Sequence, residues 1–77
     1  MKSFIQILGW LGVLAILTAY FLVSFSFLSP HDILYPALNI VGSVFIIIET
    51  FSKKDYQPVV LNFVWLIIAL VAILKII

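Results

Sequence analysis

Asn39, Ser43, Asn62 and Trp65 are the side chains whose types and spacing could do chemistry, by hydrogen bonding to a small polar solute and stacking against it. Asn62 lies in Pro58-Val59-Val60-Leu61-Asn62-Phe63-Val64-Trp65, where an amide and an indole interrupt hydrocarbon. A carboxamide has donors and an acceptor that acyl chains cannot satisfy, so Asn62 is expected to face another helix or a small aqueous cavity. Trp65 is three residues on and shares that face, roughly 60° around a helix of about 3.6 residues per turn. Ala69 and Ala72 extend the same face, while Asn39, Gly42, Ser43 and Ile46 share one on the preceding segment. Counting about 1.5 Å per residue from the inner ends of two antiparallel helices puts Asn62 near 9 Å deep and Asn39 near 18 Å. The two amides are therefore not expected to meet within one protomer, and a bridging water or a second copy would close the gap.

The remaining polar residues point to less. Glu49 is the only carboxylate inside an apolar run, and an intramembrane acid is a functional candidate. Lys53 follows four residues later in the favourable acid-before-base order, so an interfacial Glu49–Lys53 pair is the preferred reading and proton or cation binding the competing one. His31, the only histidine, is expected to be a solvated or capping residue. With no cysteine, disulfides and thiolate chemistry are excluded. The lysines are not gathered into a patch and arginine is absent, so nucleic acid is not an expected partner. No nucleophile–base pair and no metal-ligand spacing is present in the sequence, and neither enzyme activity nor a cofactor is expected.

The elements that must position these residues follow from the hydropathy. Of 77 residues 66% are hydrophobic and 9% charged, with a mean hydropathy of +1.39, whereas about a quarter of a soluble domain is charged. A domain this small hides only about 60% of the surface its unfolded chain exposes, so lipid or other copies must cover the rest. Apolar runs predict helices over about residues 4–28, 31–51 and 57–76. The fold class is all-α, an integral membrane three-transmembrane-helix bundle forming a single domain. The first run is too long for the core of a signal peptide and reads as a retained, tilted helix.

Within the first helix Gly9, Gly12, Ile16, Ala19 and Val23 recur every three or four residues as a narrow small-residue seam. Ser29-Pro30-His31-Asp32 carries the signs of a helix start, with Ser29 as cap, Pro30 in the first turn and Asp32 completing a capping box. Pro36 is expected to kink the second helix or to set off a short turn before it. Pro58 opens the third. Tyr35-Pro36-Ala37-Leu38-Asn39 and Gln57-Pro58-Val59-Val60-Leu61-Asn62 form a weak internal echo. Trp10, Tyr35 and Tyr56 lie toward helix ends as interface anchors, and Trp65 is deep enough to favour packing.

Three crossings place Lys2, Lys53 and Lys54 on one side against Lys75 on the other, which predicts a cytoplasmic N-terminus. Gly9-Trp10-Leu11-Gly12, Ala19-Tyr20, Tyr35-Pro36-Ala37-Leu38-Asn39 with Gly42-Ser43, and Pro58 with Leu61-Asn62 and Trp65 together resemble an uncharacterised bacterial family of small three-helix inner-membrane proteins. The chain is also similar, more distantly, to the PQ-loop and SWEET-type half-transporters. That resemblance implies a dimer around a central solute cavity, with Asn62 as the asparagine that lines it. The first helix lacks a Pro-Gln pair, and Gln57-Pro58 has the reverse order. The expected function is a half-transporter-like homodimer in the bacterial inner membrane that binds or moves a small polar solute. The competing reading is a structural or accessory protein whose polar residues only lock helix packing.

Overall fold

The computed structural model describes residues 2–77 and contains three helices, α1 (Lys2–Ser24), α2 (Leu34–Ser52) and α3 (Tyr56–Ile76). Each is long and apolar enough to cross a membrane. The long dimension of the molecule, 35 Å, matches a hydrocarbon core of about 30 Å with some interfacial overhang. This is a multi-pass, all-helical membrane protein.

The three-helix bundle is open on one side. α2 packs against both neighbours, but no Cα of α1 comes within 8 Å of one in α3. The result is an open layer with α2 in the middle. Its two seams are built from small and polar residues: Gly9, Gly12 and Ala19 against Gly42 on one side, and Pro36, Asn39 and Ser43 with Asn62 and Ala69 on the other. Most of the large apolar side chains are exposed instead, with Ile16 and Ile46 among those that reach into a seam. Lipid is as apolar as those side chains, so burying them between helices gains little, and close backbone approach drives association instead.

Glycine makes the α1–α2 approach possible. A Cβ at Gly12 would stand 2.7 Å from the Gly42 carbonyl oxygen, and one at Gly42 would stand 2.6 Å from Ile16 Cγ1. The small-residue seam expected on α1 therefore does pack, and Gly42 is its counterpart.

Helix boundaries differ from the expected ones for identifiable reasons. α1 stops at Ser24 rather than near Leu28 because Ser26 takes a left-handed conformation (φ 63°). Phe27 N–H donates to the Leu22 carbonyl at 2.9 Å and Ser26 N–H to that of Val23 at 3.1 Å. This is a Schellman closure, completed by an edge-on contact of the Phe27 ring with Phe21. α2 ends the same way, with Lys54 left-handed (φ 59°), Asp55 N–H donating to Thr50 and Lys54 N–H to Phe51.

α2 starts at Leu34 rather than at residue 31 and runs on unbroken through Pro36, with the expected short turn set off before it. Pro36 occupies the third helical position, where its missing N–H removes no intrahelical bond. Extending the helix backward would press the proline ring on the Asp32 carbonyl. Ser29, His31 and Asp32 instead close a separate turn. The Asp32 carboxylate accepts from Ser29 N–H at 2.9 Å, and the Ser29 hydroxyl accepts from His31 N–H at 3.1 Å. The expected capping box is thus spent on that turn. Pro58 likewise holds the third position of α3, which begins at Tyr56 rather than residue 57.

Candidate functional site

The α2–α3 seam holds the four residues proposed for solute binding, but it brings only two of them to one place. In antiparallel register, Asn39 on α2 and Trp65 on α3 line a cleft of about 250 Å³ with Tyr35, Pro36, Ala69 and Ala72. Asn39 is buried (6% exposed) at the floor of the seam, whereas Trp65 is 43% exposed at its edge. Trp65 is therefore a cleft wall rather than the packed interior residue expected from its depth. Tyr35, read as an interface anchor, belongs to the same wall. Its position next to the helix-starting proline, one turn before Asn39, is the signal that could have placed it there.

Asn62 behaves differently. It is buried, and its Nδ2 donates to the Pro58 carbonyl one turn back in its own helix at 2.8 Å. Asn62 thus faces the neighbouring helix rather than lipid, as expected, but one of its donors is satisfied within its own helix. Ser43 is fully enclosed, and its Oγ has no hydrogen-bond partner. Neither residue lines the Asn39–Trp65 cleft, in keeping with the depth separation expected for the two amides.

The second polar region lies on the other side of α2. Glu49 forms the expected ion pair with Lys53, Oε2 to Nζ at 2.5 Å, with the glutamate side chain only 14% exposed and the lysine 57%. Its seat is Gly9: a Cβ there would stand 2.7–2.9 Å from Glu49 Cγ, Cδ and Oε1. A cleft of about 430 Å³ opens beside it, with Gln6, Trp10 and Thr50 in its walls. Gln6 was not singled out in the sequence, although it lies three residues before Gly9 on the seam side of α1. Thr50 is buried and donates its hydroxyl to the Ile46 carbonyl at 2.7 Å. His31 is exposed in the α1–α2 turn.

A protein-family model matches residues 5–77, nearly the whole chain. No curated protein and no solved structure matches it.

Proposed function

The chain belongs to this small, uncharacterised family, and we propose that it serves the bacterial inner membrane as a structural or accessory protein, working through helix contacts rather than through turnover of a substrate. The proposed orientation puts the N-terminus and the Lys53-Lys54 loop in the cytoplasm. One observation carries the reading. Asn62, the residue best placed by type to bind a solute, is buried and uses one of its two amide N–H donors on the carbonyl of Pro58 in its own helix. With that donor engaged and the residue buried in the seam, only its second N–H and its oxygen are left for a ligand, and the bond lowers the cost of holding an amide in lipid.

A second reading rests on the Asn39–Trp65 cleft. Two copies joined across their α2–α3 faces would enclose two amides and two indoles at membrane depth, the arrangement of a half-transporter-like homodimer for a small polar solute. Swelling of proteoliposomes in glycerol, glucose and glycine separates the two. The accessory role gives rates equal to those of protein-free vesicles for the wild type and for Asn39→Leu. Faster swelling that Asn39→Leu and Trp65→Ala both abolish would replace it with the transport reading.

A further inference from the structure

The Glu49 cleft on the α1–α2 side has a composition that the packing role does not use. Glu49 lies about three residues from the end of α2 and Gln6 about four from the start of α1, so at about 1.5 Å per residue both sit within roughly one turn of the membrane surface. At that depth a side chain meets phospholipid headgroups. The cleft joins a carboxylate, a lysine, an amide, a hydroxyl and an indole in about 430 Å³.

We propose that this cleft binds the headgroup of an ethanolamine phospholipid, the ammonium against Glu49 and the phosphodiester against Lys53. The ion pair already present defines the charge requirement. A cation alone would displace Lys53 from Glu49 and leave the lysine unpaired, and an anion alone would do the reverse. A zwitterion gives each partner a new counter-charge, so no charge is stranded in a low-dielectric environment.

Hydrogen-bond capacity then selects the ammonium. A primary ammonium offers three N–H donors, and the cleft offers acceptors. Glu49 Oε1 lies over Gly9, apart from the Oε2 that takes Lys53. The Thr50 hydroxyl, in the cleft lining, donates to the Ile46 carbonyl, so any further bond it makes is as an acceptor. Gln6 supplies a carboxamide oxygen. A trimethylammonium has no N–H and would leave these acceptors unpaired, so choline lipids are disfavoured. Trp10, 70% exposed, adds an indole to the cleft wall deeper along α1, beside the acyl chains of the bound lipid.

The test is native mass spectrometry of the purified protein with an equimolar mixture of phosphatidylethanolamine, phosphatidylcholine and phosphatidylglycerol of identical acyl chains. The ethanolamine lipid should be retained about tenfold over the choline lipid, the value of one charge-assisted hydrogen bond. Glu49→Gln and Gln6→Leu should each erase most of that preference. Gln6 is exposed, so its variant keeps the helix seam intact and guards against a folding artefact at Glu49. Equal retention of the ethanolamine and choline lipids, preference for phosphatidylglycerol, or an unchanged preference in both variants would overturn the assignment. Displacement of the lipid by equimolar glycerophosphoethanolamine would overturn it too, by showing that the site takes a soluble headgroup. The cleft lies across α2 from Asn39 and Trp65, so these outcomes do not depend on the accessory or transport reading.

Discussion

Ser43 and Asn62 show two ways for a polar side chain to be accommodated in a membrane interior. The amide of Asn62 finds an acceptor one turn back, while the hydroxyl of Ser43 finds none. An unmade hydrogen bond leaves a desolvation cost without its compensation. Ser43→Ala should therefore be neutral or raise stability by up to about 1 kcal/mol, measured as unfolding in detergent with increasing denaturant. A loss of stability instead would mean that a second copy or a ligand supplies the missing partner. Spacings of three and four put Asn39 with Ser43 and Asn62 with Trp65 on shared helix faces, but they also grouped Gly42 and Ile46 with Asn39, and those two face α1 instead. The sequence could not foretell that Asn62 bonds its own helix, since that depends on a side-chain rotamer chosen between the Pro58 carbonyl and the neighbouring seam.

At the scale of elements, the helices were legible, and so were the end of α2 and both ends of α3 to within a residue, but the end of α1 and the start of α2 were not. Hydropathy marks where lipid can be, and it marked all three crossings. The stops at Ser26 and Lys54 require left-handed residues, a conformation usually reserved for glycine. A serine and a lysine there give no local signal, so α1 was expected to run on to Leu28. The starts were encoded, but in the opposite sense to a kink: each proline is the third residue of its helix and sets the point behind which the helix cannot extend. The seam between α1 and α2 makes a graded prediction. Gly12→Ala places a methyl against the Gly42 carbonyl, backbone that cannot swing away, and should destabilise the protein by about 1–3 kcal/mol. Gly9→Ala meets only the flexible Glu49 side chain and should cost less than half as much. Thermal unfolding of the two variants in one detergent provides the comparison, and an equal cost would contradict the close approach at Gly12.

For the whole molecule, the arrangement as an open layer leaves both flanking helices with one partnered side each. Its orientation is open to direct labelling, because the chain has no cysteine of its own. With Ser29→Cys in the α1–α2 turn, a membrane-impermeant maleimide should react in intact cells. With Ser52→Cys beside Lys53 and Lys54 it should react only after permeabilisation. The reverse pattern would place the N-terminus outside.

The middle position of α2 also bears on how the protein is made. Since α1 meets only α2, and α2 is the next helix to leave the ribosome, the Gly12–Gly42 contact can form before α3 has been synthesised. α3 then adds to a finished pair. Every tertiary contact between helices joins neighbours in the order of translation, so no helix waits in the bilayer for a distant partner, and insertion and assembly can proceed as one continuous process.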